Sequence, residues 1–106
     1  MNCIHYDKLV RDKIPDIIHK AGKEPVTDIL PSESMATALD RKLQEEVQEY
    51  LESGSVEEMA DVLEVLHGIA FHKGIPWDEV EAVRVHKLNE RGGFEKGIRL
   101  LEVREP

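Results

Sequence analysis

Two acidic clusters, Glu45-Glu46-x-x-Glu49 and Glu58-x-x-Asp61, carry the residues of this 106-residue chain best suited to chemistry. Carboxylates three positions apart project from one side of a helix, a turn from each other. The segment around the first cluster has Leu39, Leu43, Val47 and Tyr50 on one stripe at helical spacing. Glu46 falls inside that apolar face and Glu49 on its edge, about 60° away at 100° per residue, while Glu45 points elsewhere. In the following segment Glu58 and Asp61 share an arc with Val62, Val65 and Ile69, an arc that a core-facing helix normally fills with apolar side chains. Two adjacent antiparallel helices therefore each direct an acid pair toward a shared apolar side. Carboxylates desolvated together repel one another, so they take up protons or bind cations. Oxygen-only ligands suit a hard divalent ion, and Mg²⁺ keeps coordination positions for water and substrate phosphates.

The elements that must position these acids are helical. Asp12 is placed to cap a first helix that has Pro15 in its first turn, Ile14, Ile17 and Ile18 at helical spacing, and Gly22 as its stop. Glu24 to Pro31 is bounded by prolines and reads as a short extended segment. Ser32 or Ser34 then caps a helix from about Met35 to Glu52, which Ser53-Gly54-Ser55 breaks. A third helix from Val56 to about His72 is apolar over much of its circumference and should be the most buried. Pro76 and Trp77 open a fourth helix, ended near Glu90 by Arg91-Gly92-Gly93. Ile98 to Val103 is compatible with a short strand pairing with Val26 to Leu30. Short connections imply antiparallel neighbours, so the expected fold is all-α, a small antiparallel bundle of about four helices with a minor two-stranded β element. Trp77, Phe71 and Phe94 read as packing residues, and Tyr50, at the end of the acid helix, as a candidate for base stacking.

Charge is distributed unevenly. The chain carries 22 acidic and 14 basic residues for a net −8. From Glu33 to Glu64 there are ten acids and two bases, so this one segment holds the whole surplus. Net acidity argues against a nucleic-acid partner, because the phosphates would be repelled. No apolar run approaches a membrane span or a signal peptide, and the lone Cys3 forms no internal disulfide. A cytoplasmic, non-membrane protein is expected. On the fourth helix, Arg84, Lys87 and Arg91 share an arc with Val80 and Val83. Cations on such a face need anions, either the acids themselves or a polyphosphate held beside a metal.

Glu45-Glu46-x-x-Glu49 followed by Glu58-x-x-Asp61 resembles the EExxE…ExxD signature of the MazG-like all-α nucleoside triphosphate pyrophosphohydrolases. Lys8-Leu-Val-Arg-Asp-Lys-Ile-Pro15 and Glu90-Arg-Gly-Gly-Phe94 resemble the flanking segments of a phosphoribosyl-ATP pyrophosphohydrolase-like branch, so the likeness covers nearly the whole chain as one domain, 1–106. The resemblance implies a homodimer or homotetramer that binds Mg²⁺, or Mn²⁺ in its place. It cleaves a nucleoside triphosphate between the α and β phosphates, giving a nucleoside monophosphate and pyrophosphate, in nucleotide-pool house-cleaning. Carried over by position, Glu46, Glu49, Glu58 and Asp61 are the metal ligands and Glu45 orients water or a ligand. One departure is the short separation, with eight residues between Glu49 and Glu58. In-line attack of water on phosphorus asks chiefly for positioning and charge neutralisation. Glu49 or Glu46 would accept the proton. Lys87 and Arg91, together with Lys8 and Arg11, would hold phosphates or the departing pyrophosphate. The basic residues of the N-terminal block have a competing role as ion-pair partners of the acidic segment.

Two rival readings remain. Glu64-Val-Leu-His67 supplies one Glu-x-x-His element of a di-iron carboxylate bundle, where two are needed, and His67 lies about 120° around the wheel from Asp61. A non-catalytic acidic oligomerisation module would instead place the inward Glu residues in an interface. No His or Cys neighbours another at a structural-zinc spacing. The modest core of so short a chain favours dimerisation, which would also allow a nucleotide site shared between subunits.

Overall fold

A computed structural model describes residues 2–106, and among the described residues there are four helices, α1 (Ile14–Lys20), α2 (Ser32–Ser53), α3 (Val56–His72) and α4 (Trp77–Arg91). Among the described residues there is no strand. None of these helices is long and apolar enough to cross a membrane.

The helix ends show which local forces act. Pro15 sits in the first turn of α1, as expected, but Asp12 does not cap it. The cap position is Lys13, already in helical conformation, and the chain enters through a turn closed by Ile14 N–H donating to the Arg11 carbonyl at 3.1 Å. α2 starts three residues earlier than its apolar stripe suggests. Pro31 takes the cap position, so neither Ser32 nor Ser34 caps with its side chain, and the Ser34 N–H donates to the Pro31 carbonyl at 2.9 Å. At the other end Gly54 adopts a left-handed φ of 62°, and its N–H donates to the Tyr50 carbonyl at 2.7 Å. A glycine tolerates this conformation without a Cβ clash. One residue later, Ser55 caps α3 through its Oγ, which accepts from the Glu58 N–H at 3.1 Å.

That tight bend folds α3 back along α2, and the pair makes the helix packing of the first of two compact units, which ends at Gly74. Its buried residues are Leu39 and Glu46 from α2 and Val65 and Ala70 from α3. Gly68 lies against Leu39, with space for an added Cβ 3.4 Å from Leu39 Cδ2. α3 is less buried than its composition suggests. Met59, Leu63, Leu66 and Phe71 are exposed, because one partner helix covers only one side of an apolar cylinder.

The second unit begins at Ile75 and contains α4 and the residues after it. Neither segment of the expected two-stranded element, Val26–Leu30 or Ile98–Val103, is a strand. Val26 and Ile29 are almost fully exposed between Pro25 and Pro31, which have no N–H to give to a ladder, and Leu100-Leu101 breaks the alternation that would give the tail one apolar face. Phe71 and Phe94 are exposed rather than packed, the Phe71 and His72 rings standing edge to face with centres 5.2 Å apart, while Trp77 is half-buried.

The bend yields a stability test. Ser55→Ala should cost about 1 kcal/mol through loss of the cap, and Gly54→Ala about 1 to 2 kcal/mol through left-handed strain, both read from urea denaturation midpoints.

Candidate metal centre

Next to the bend, the packing of α2 on α3 brings acids from both helices into one place. Glu46, Glu58 and Asp61 each offer a carboxylate oxygen, and these oxygens all lie within 4.8 Å of one another. Glu46 is only 7% exposed, while Glu58 and Asp61 are half-buried. The Oε2 atoms of Glu46 and Glu58 are both shielded from solvent and have no hydrogen-bond partner. A buried oxygen left in that state is costly, so this is where a bound cation or proton gains most.

Glu58 is available to this group because of how the bend is wired. It stands three residues after the Ser55 cap, where a glutamate commonly reaches back to the cap's own N–H. Here the Ser55 N–H donates to Ser53 Oγ at 3.2 Å instead, and the Glu58 carboxylate lies with Glu46 and Asp61. Its own backbone N–H still serves the cap.

Two cations answer the acids. Lys42, one turn before Glu46 on α2, sits 3.2 Å from Glu46 Oε1 and 3.5 Å from Glu45 Oε1. Arg11, from the segment preceding α1, reaches Asp61 Oδ1 with its Nη2 at 2.6 Å. Sequence reasoning overlooked Lys42, although its i, i+3 and i, i+4 relation to Glu45 and Glu46 was a readable signal. It weighed Arg11 both as a phosphate ligand and as an ion-pair partner of the acidic segment, and the second role is the one observed.

The remaining candidates are placed differently. Glu49 is exposed and outside the three-acid group, though close enough to Glu46 to interact with it, because a position on the edge of a helix stripe is left in solvent when a single helix covers the stripe. Glu45 faces Lys42. Lys8 lies over the ring of Tyr6, 5.5 Å from its centre. Lys87 and Arg91 are exposed on α4 in the second unit, and Arg84 pairs with Glu81 on the same helix. Glu64 is exposed and His67 half-buried, and neither joins the acid group, so its ligand atoms are all oxygen.

Crowding separates the proton affinities. Burial pushes Glu58 up, and the neighbouring Glu46, Glu49 and Asp61 carboxyls add to it, so Glu58 titrates at about 7. Burial also works against charge on Glu46, but the close Glu58 and Glu49 carboxyls and the Lys42 ammonium outweigh it and hold Glu46 below its ordinary value. Glu49 is raised, first by hydrogen bonding with the charged Glu46 and then by its charge. Lys42 loses affinity for its proton through burial and regains more from Glu46 and Glu45. The pocket therefore holds ionised Glu46 beside a Glu58 that keeps its proton to higher pH than an ordinary carboxyl, an arrangement a divalent cation would displace toward full ionisation.

No family model matches the chain, and no solved structure matches it. An uncharacterized protein of Mycolicibacterium smegmatis is 48% identical over 42 residues, which are 40% of this chain. The matched stretch spans 43% of that relative's length.

The Glu58 shift fixes a pH dependence. The folded chain binds more protons than the unfolded chain between the ordinary carboxylate value of 4.5 and about 7, so stability falls as pH rises through that window. Thermal melts of the metal-free protein should show this decline, Glu58→Gln should flatten it, and added Mg²⁺ should restore stability at the alkaline side.

Proposed function

We propose that the chain is a Mg²⁺-dependent nucleoside triphosphate pyrophosphohydrolase of the MazG-like kind, acting between the α and β phosphates in the cytoplasm. The observation that carries this reading is the pair of buried, unpartnered oxygens on Glu46 and Glu58 within an all-carboxylate group from two helices. Carboxylate oxygens at this spacing fit a hard ion, with Glu46, Glu58 and Asp61 holding it and Glu49 at the open edge. When bound, Mg²⁺ supplies charge neutralisation at the phosphates and lowers the proton affinity of water.

The protein groups have separate tasks. Lys42 fixes Glu46 through Oε1, which leaves Oε2 for the site. Glu49, exposed and raised in proton affinity, is the proton acceptor best placed for an attacking water, and Glu45 orients it from beside Lys42. As water adds to phosphorus its proton passes to Glu49, the anhydride bond breaks, and pyrophosphate leaves. Arg11 and Lys8 of the first unit would take the departing phosphates, since guanidinium and ammonium groups match their charge.

Oligomerisation belongs to the same reading. Met59, Leu63, Leu66 and Phe71 on α3 and Leu51 on α2 are exposed apolar side chains that a second copy of the hairpin would cover in a homodimer or homotetramer. An acidic oligomerisation module without catalysis would share that surface, so the two readings part on chemistry.

Pyrophosphate release from a panel of nucleoside triphosphates with Mg²⁺ tests the assignment. Glu46→Gln and Asp61→Asn should each lower kcat/KM by about 100-fold or more with circular dichroism unchanged, and full activity in both variants refutes it. Sedimentation equilibrium should give a mass of twice or four times the 12.1 kDa chain.

A further inference from the structure

The two cations at the acid group are held in different ways. Lys42 shares a helix with Glu45 and Glu46 and its side chain is largely covered, so its position follows from α2 itself. Arg11 is fifty residues from Asp61 in sequence, lies in a segment outside any helix, and is more than half exposed. An exposed pair of this kind is weak and breaks readily. It is nevertheless a tie between the N-terminal segment and one of the three acids that face each other across the seam.

A guanidinium and a divalent cation compete for the charge of Asp61. We propose that Arg11 is a tethered counter-cation that closes the acid group while no metal is bound and is displaced when one binds, releasing the segment from Lys8 to Lys13. This rests on reading Glu46, Glu58 and Asp61 as a metal site, and it adds regulation to that site. Metal binding then does two things together: it opens Asp61, and it frees a guanidinium for the phosphates of an incoming substrate. Without metal, Arg11 offsets part of the charge on Asp61 and so part of the repulsion within the acid group.

The test uses the full chain and Mn²⁺ as probe. Isothermal titration should show Arg11→Gln binding Mn²⁺ about 2- to 5-fold more tightly than the unaltered protein, the range expected for removing an exposed ionic competitor. Hydrogen exchange of the amides from residue 8 to residue 14 should quicken on Mn²⁺ saturation in the unaltered protein and should be fast with or without Mn²⁺ in Arg11→Gln. A merely structural role for Arg11 would weaken binding instead. Glu46→Gln/Asp61→Asn is the control for the site itself. If that double variant loses Mn²⁺ binding while Arg11→Gln binds no tighter, the displacement idea alone is overturned. If the double variant binds as the unaltered protein does, the metal site is wrong and the displacement idea falls with it.

Discussion

Like charges forced together at a helix–helix seam are the constraint around which this chain is arranged. Glu46 is among its most buried residues, and its neighbours across the seam are two further acids. Such a cluster is unfavourable in a low-dielectric environment unless compensated. Compensation comes in three forms: a proton retained by Glu58, an ammonium from the preceding turn of α2, and a guanidinium from the N-terminal segment. A hairpin selected for stability alone would have apolar side chains at these positions.

The hairpin is also thin. Two packed helices bury few side chains, and much of the apolar surface of α3 faces away from α2. Placing charge inside so small a core makes its apolar contribution smaller still. The side of α3 left uncovered by α2 therefore carries Met59, Leu63, Leu66 and Phe71 as exposed apolar surface.

Much of this was legible in the chain itself. The apolar stripe of α2 placed Glu46 inside, the arc of α3 turned Glu58 and Asp61 toward it, and Gly54 and Ser55 marked the bend. Periodicity reports which side chains share a face; it does not report how much of that face finds a partner. Hence Glu49, on the edge of the stripe, stands in solvent, and Met59 and Leu66 are uncovered. Long-range pairing is likewise invisible to periodicity, so an ion pair between the N-terminal basic block and the acidic segment could be weighed, but not that Arg11 meets Asp61, and the strands inferred from β-branched residues are not formed. Capping chemistry was half readable. Ser55 was in place, but Pro31 and Lys13 took the positions that serine and aspartate side chains were expected to serve.

The brevity of the link between α2 and α3 has a geometric corollary. Each added or deleted residue there would rotate α3 by about 100° about its axis and slide it along its partner. Glu58 and Asp61 would swing off the seam while Val62 or Met59 turned inward. Most surface turns drift in length over evolutionary time, since lengthening them costs little. This one is phase-locked: its length determines which side chains meet, and the composition of the acid pocket is encoded as much in the residue count between the helices as in the acids themselves.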